Sequence, residues 1–406
     1  MRIEPQDRPT LGLEEEVFIV DCDTGMPALI SDQCREDLKR TLGPRYQGEY
    51  KACVLELVTR LQCRDPRHLI YEAAANRHRA NAILARHGLR TLSLACHPTA
   101  ASLELPAREC KLSQKENCRY RRIERFKGDA VRNLAVNGVH IHIGTYEPME
   151  RHDALPILMH IAPLHAGLTA CSPYFNGRDT GQESWRLRLL MMLSSTLPVL
   201  DETMEEQQEL EQLLSRAGGP ADDSEHWGLI RNGVNKPTIE FRAADTAPSL
   251  DMLIGLAALT ASAAYAVRKG WLKRPRCSDR RALSIYQFNL EAVAAFGSKA
   301  TLIDPFGSEL RSVPDYAAAW AARCEQAIDA IDFGDAVAEL MRLASRWNPG
   351  QDMRRLMAET FEVATAQGMA SSVAATLSTQ RVLRWAWEVA DASPTTPWTQ
   401  RARAAA

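Results

Sequence analysis

Several familiar functional signatures are missing from this chain. No two of its 22 glycines are separated by a single residue, so there is no Gly-x-Gly-x-x-Gly fingerprint, and Gly-Lys-Ser/Thr is absent as well. A Rossmann or P-loop nucleotide site is excluded on that ground. The lack of a Gly-x-Ser-x-Gly elbow argues against a standard serine hydrolase. The ten cysteines include no Cys-x-x-Cys and fall at irregular spacings. They read as reduced thiols rather than a disulfide scaffold or zinc site, and point to a cytoplasmic location. A one-signed charge is missing too: 49 Lys plus Arg face 51 Asp plus Glu, leaving no net field to draw nucleic acid or a membrane. Residues 1–8 are charged where a signal peptide would turn apolar, and the least polar run, 252–267, is only 16 residues long and includes Thr260 and Ser262. No membrane span is expected, and small molecules are the default partners.

What remains is a chain of 406 residues, 45% of them hydrophobic, able to bury a large core as one big domain or as two or three smaller ones. Short alternating segments rich in β-branched and aromatic residues predict strands at 11–21, 54–59, 89–95, 139–146 and 238–243. Apolar spacing predicts a helix over 66–87, stopped by Gly88, and further helices over 152–170, 183–216, 251–269, 316–348 and 353–389. Residues 218–224 read as a loop.

Strand alternation sorts the polar residues by face. Residues i and i+2 of a strand share a side, so Glu14 and Glu16 point one way while Leu13 and Val17 point the other. In "NGVHIHIG", His140 and His142 oppose Val139, Ile141 and Ile143; Glu240 and Arg242 oppose Ile239 and Phe241; Glu56 opposes Leu55 and Leu57. An antiparallel sheet with helices on its apolar side would gather these groups on one open face. Carboxylates gathered this way repel one another unless cations neutralise them, and hard divalent cations prefer oxygen ligands. The pattern therefore points to metal-bound nucleotide phosphate.

Five stretches in order, "LGLEEEVFIVD", "LELVT", "NGVHIHIG", "ACSPYFNGRDTG" followed by "SWR", and "TIEFRAADT", resemble the signatures of the type 2 glutamate-cysteine ligase, or carboxylate-amine ligase, family. The resemblance spans about residues 11–305. It implies an α+β, glutamine-synthetase-like fold, with helices backing a curved antiparallel sheet whose concave face holds Mg²⁺ and ATP. By the same resemblance, residues 1–390 form a single catalytic domain with a helix-rich C-terminal part and 391–406 a loose tail. Glu14, Glu16, Glu49, Glu56, His140 and Glu240 would be metal ligands, with His142 left open. Arg242, with Glu240, would serve catalysis beside the transferring phosphoryl group, and Arg178, Arg186 and Asn289 would bind substrate.

The implied reaction joins a small acid, glutamate being the expected one, to an amine such as cysteine through an acyl phosphate; homo-oligomerisation stays open. Two departures stand against the family pattern. Phe288 and Ala295 occupy positions where an acid and an arginine are expected, and "IRNGVNKPT" replaces an Arg-Pro-rich approach to the last motif strand. The first motivates a rival reading as a non-catalytic nucleotide or small-acid sensor, the second puts the neighbouring pocket in doubt, and the shared fold keeps a guanidino kinase as a third reading.

Overall fold

The structure, a computed structural model, describes residues 3–392 apart from 5–6, 61, 108–122, 126, 145–147, 194–203, 218–226 and 233–235. Its organising element is β1 (Leu11–Asp21). Around it lie β2 (Tyr46–Gly48), β3 (Val54–Val58), β4 (Leu89–Leu92) and β5 (Gly138–Gly144). A small hairpin follows, β6 (Tyr174–Phe175) with β7 (Arg178–Asp179), then β8 (Ile230–Asn232) and β9 (Thr238–Asp245), and last a second hairpin, β10 (Thr301–Ile303) with β11 (Leu310–Ser312). The main sheet runs β2-β3-β1-β5-β9-β8, with β4 beside the far half of β1. Every pairing in it is antiparallel.

Alternation along β1 decides what each side meets. The odd-numbered Leu11 and Leu13 join Ile141, Ile143, Ile239 and Phe241 in a core closed by the helix Leu250–Arg268. Val17 and Ile19 pack on Leu38 and Ile83, from the helices Asp32–Leu42 and Pro66–Leu84. Between these apolar pairs Glu15 also faces inward, where Arg77 donates to it from Nε (2.9 and 3.1 Å) and Nη2, and Ser93 Oγ lies 3.3 Å away. Arg77 Nη1 reaches Pro248 O at 2.7 Å, so this buried pair is hydrogen-bonded on both partners, as a charge in low dielectric requires.

The even-numbered side is not uniformly open. Glu14 and Glu16 face a polar cluster, but Phe18 and Val20 lie under Met353 and Leu356 of the helix Pro349–Ala366 and Val382 and Leu383 of the helix Ser371–Ala392. The expectation of helices on one face only is corrected accordingly: the C-terminal helices roof half of the second face.

Element limits follow local chemistry. The helix Pro66–Leu84 begins where Asp65 accepts from Arg67 N at 2.8 Å, with proline in the first turn, and its 3-10 extension ends at Gly88, whose φ of 70° suits glycine. The single helix expected over 316–348 is three, Val313–Arg323, Glu325–Ile331 and Gly334–Ala344, the second ended by Asp332 at φ 61°. The one expected over 353–389 divides near Gly368, φ 81°. The segment 152–170 is Pro148–Leu158 and Ala162–Thr169 around a 3-10 turn. The helix Asp279–Phe296 was not anticipated.

Leu250–Arg268, longer than the apolar run seen in sequence, has the length and apolarity to cross a membrane, yet almost all of it is buried inside the protein. It is the core helix of the fold. The middle of 183–216, the loop at 218–224, the end of the strand at 139–146 and most of the tail at 391–406 lie outside the described residues.

Candidate active site

Sheet register brings the polar residues of five strands together. Glu16 stands opposite Glu56, Glu14 opposite His140, His142 opposite Glu240, and Glu240 opposite Arg231. Between β5 and β9 the register shifts: Val139 pairs with Ala244 but Ile141 with Phe241, so two residues, Arg242 and Ala243, face His140. This bulge brings the Arg242 guanidinium to the cluster, with Nη1 on Glu240 Oε1 and 3.3 Å from His140 Nδ1. The flanking glycines of "NGVHIHIG" are required by space. A Cβ at Gly138 would stand 1.8 Å from Arg186 Nη2, and one at Gly144 would stand 1.7 Å from Thr10 Oγ1.

The imidazoles sit among carboxylates. His140 Nδ1 lies 3.2 Å from Glu14 Oε2 and 3.6 Å from Glu240 Oε1, and its Nε2 lies 3.7 Å from Glu16 Oε1. Since Nδ1 can donate to Glu14 or accept from Arg242 but not both, its proton depends on what else occupies the cluster. His142 Nδ1 meets Thr238 Oγ1 at 3.0 Å, which fixes the ring, while its Nε2 is 3.3 Å from Glu14 Oε1 without hydrogen-bond alignment. Donor atoms of Glu14, Glu56 and His140, and again of Glu14, His142 and Glu240, lie within 4.8 Å of one another.

Electrostatics divide these acids into two classes. Burial alone would raise Glu14, but the hydrogen bond to His140 and the adjacent His142 imidazole hold it well below the ordinary carboxyl range. Burial also opposes ionisation of Glu240, and the guanidiniums of Arg242 and Arg231 overcome it, keeping this acid ionised. Glu16 goes the other way: burial and the charge of Glu49 raise it to about 7, despite Arg186 and the Gly138 amide, which donates at 2.5 Å. Burial and three neighbouring carboxylates push Glu56 well above its ordinary value. His140 is pushed down to about 3 by burial and Arg242, so it is neutral at neutral pH.

Beside Glu16 and Arg242 a cavity of about 80 Å³ opens between Glu49, Arg186, Tyr50 and Trp227. Lys51 braces its wall, its Nζ donating to Ser102, Leu105 and Arg132 carbonyls at 2.8 Å each. Arg186 is held behind Gly138 by Asp245 at 3.8 Å, and Asp245 in turn accepts from Ser172 Oγ (2.7 Å) and Ser184 Oγ (2.8 Å). Glu49 thus joins the cluster through its field on Glu16 and Glu56. Two other sequence candidates are placed differently. Arg178 is exposed on the β6–β7 hairpin. Asn289 is buried, its amide spent on Ile303 N (2.8 Å) and Ile303 O (2.9 Å), where it pins β10 to its helix.

Sequence reading missed Arg231 and Lys236. Arg231 grips Glu240 through Nε (2.9 Å) and Nη2 (3.1 Å), and Lys236 Nζ binds Glu14. The signal was the alternation of Ile230, Arg231 and Asn232 just before a strand with the same pattern, which marks a hairpin partner.

Residues 10–375 match glutamate-cysteine ligase family 2. The chain belongs to that family. It is a ligase of the glutamate-cysteine ligase type. A Paracoccus denitrificans protein, named provisionally as glutamate–cysteine ligase 2, is 29% identical over 365 residues, covering 87% of this chain and 92% of that one. The crystal structure of the Francisella tularensis glutamate–cysteine ligase in complex with AMP superposes with a TM-score of 0.61 at 13% identity, over 98% of this chain and 97% of that one. A bifunctional glutathione synthetase from Pasteurella multocida gives 0.63 at 14% identity, over 95% of this chain and 53% of the larger protein. The family member thus has the α+β architecture of these ligases, a mostly antiparallel sheet backed by helices.

Proposed function

We propose that this protein is an ATP-dependent carboxylate–amine ligase that activates a small acid, glutamate being the first choice, as an acyl phosphate and passes it to an amine such as cysteine. The observation that carries the reading is the convergence of Glu14, Glu16, Glu56, His140, Glu240 and Arg242 at one end of the sheet, in a member of this family. The AMP in the Francisella ligase of the same fold supports a nucleotide as one of the ligands.

The donor set fits Mg²⁺. Two three-ligand groups share Glu14, His140 Nε2 is buried without a hydrogen bond, and burial together with neighbouring carboxylates raises Glu16 and Glu56, a strain that a bound cation would relieve. Glu14, Glu56 and His140 would hold one ion and Glu14, His142 and Glu240 another, the donor atoms of each group lying within 4.8 Å of one another. Bound there, Mg²⁺ would shield phosphate oxygens and balance charge on the transferring group.

In this scheme a substrate carboxylate oxygen attacks the terminal phosphorus of ATP and ADP leaves. The amine then attacks the acyl carbon, inorganic phosphate leaves, and the amine gives up a proton. Arg242, brought to the cluster by the β9 bulge, would balance charge on the phosphoryl group; Arg186, two of whose buried guanidinium nitrogens lack hydrogen bonds, would clamp a carboxylate. Such chemistry relies on positioning and charge rather than a covalent nucleophile.

The test is product analysis with glutamate, cysteine, ATP and Mg²⁺. ADP and phosphate should appear in step with an amide, and hydroxylamine should trap a hydroxamate. AMP with pyrophosphate would overturn the mechanism, a stable phosphoguanidine would indicate a kinase, and nucleotide binding without turnover over a broad acid and amine panel would indicate a sensor.

A further inference from the structure

A second concavity, of about 640 Å³, lies on the outward side of the helix Pro66–Leu84 and shares no lining residue with the cavity beside Glu16. Its volume is that of a small-molecule site. Five guanidiniums line it, from Arg8, Arg45, Arg60, Arg64 and Arg79, against the carboxylates of Asp65 and Glu72 alone, an excess of three positive charges.

Both carboxylates are already committed. Glu72 accepts from Arg45 Nε (3.1 Å), Arg60 N (3.2 Å) and Cys63 Sγ (3.4 Å), and lies 3.5 Å from Arg60 Nε. Asp65 caps the helix through Arg67 N. Arg79, by contrast, has no hydrogen bond or ion pair with any described residue.

A plain solvated helix face would place its cations on one element. Here they arrive from the segment before β1, the turn before β2, the loop after β3 and the helix itself, around a shared void with Tyr71 on its wall. Like charges converging from separate segments repel unless an anion stands between them, and planar guanidiniums match phosphate and carboxylate oxygens two at a time.

We propose that this concavity binds a small polyanion, a molecule carrying two or more phosphate or carboxylate groups, separately from the catalytic face. The assignment goes beyond the ligase reading and does not depend on it.

The test uses the full chain freed of divalent ions on a chelating resin that is then removed, titrated calorimetrically with inorganic pyrophosphate and, separately, with citrate, against sodium chloride of matched ionic strength. Wild type and the catalytic-face variant Glu240→Gln should both bind at least one probe saturably. The Arg60→Ala, Arg79→Ala double variant should weaken that binding by about tenfold or more, the size of one lost charge-assisted hydrogen bond. Both arginines are exposed, so the variant should keep the wild-type melt; Arg79→Ala alone serves if it does not. The stronger probe tells a phosphate ligand from a carboxylate one. No saturable binding of either probe up to about 10 mM, or a response no larger than that to sodium chloride, would overturn the proposal. So would binding lost in Glu240→Gln and kept in the arginine variants, which would place the anion at the catalytic face.

Discussion

Along the even-numbered side of β1, Glu14 and Glu16 join a carboxylate cluster, while Phe18 and Val20, next along the same side, are sealed beneath Met353, Leu356, Val382 and Leu383. The strand and its pleat are common to both halves and β3 spans the boundary, but β5 flanks the polar half and β4 the roofed one, and the side chains differ. Apolar burial stabilises the roofed half by about 1.5–3 kcal/mol per large side chain. The polar half costs free energy to bury and is tolerated because His140, Lys236 and Arg242 stand against its acids. A sheet face is thus roofed or left as a site by what it presents, and the boundary falls between Glu16 and Phe18.

The comparison breaks most visibly on the roofed side. Phe18→Ala should cost about 3–5 kcal/mol in denaturant unfolding, while the folded fraction keeps its turnover within a few-fold. A loss of activity greater than the loss of folded protein would mean the roof shapes the chemistry. On the other side, Glu240→Gln and Arg242→Lys should leave a cooperative melt but lower turnover at least about a hundredfold, roughly 3 kcal/mol of barrier. Steady-state rates near normal would remove β9 from the mechanism.

A pH titration sharpens the contrast. Glu16 holds its proton up to about pH 7 when folded against an ordinary 4.5, so between those values the folded state carries the extra proton and stability falls as pH rises. Without divalent ions the share of the fall due to Glu16 should be at most roughly 3 kcal/mol, with the raised Glu56 adding a fall of the same sign, and Glu16→Gln should make the fall shallower; a melting temperature flat across that window in wild type would contradict the assignment. The smallest effect is expected at Asn289→Ala, about 1–3 kcal/mol of stability from the lost Ile303 hydrogen bonds with turnover little changed. A large rise in KM instead would restore Asn289 to substrate binding.

The sequence made the sheet legible because period-2 alternation is local: β1 emerges with its limits as read, and the polar faces of β3, β5 and β9 are oriented as expected. Alternation says which side a residue faces and nothing of what covers that side, so the C-terminal roof was invisible. Helix breaks at Asp332 and Gly368 were lost because apolar spacing runs through them, although glycine at 368 was a fair hint. Arg231 escaped because β8 is three residues long, and so short an alternation is recognisable only beside the matching pattern of β9. Asn289 misled for the opposite reason: a buried amide fits a ligand or a backbone equally well by residue type, and here it is the backbone of Ile303.

The triplet Glu14-Glu15-Glu16 has a further effect through its middle member. Arg77 ties Glu15 on the core side, while its two neighbours look toward the cations of the other side. Sliding β1 by one residue would exchange the sides, setting two acids against the single Arg77 and leaving one acid to face Lys236 and Arg242. A strand of plain alternating leucine and valine would find the shifted pairing nearly as comfortable. Here the misaligned strand would bury an unmatched negative charge, so the carboxylates proofread the assembly of the sheet before they take part in any reaction.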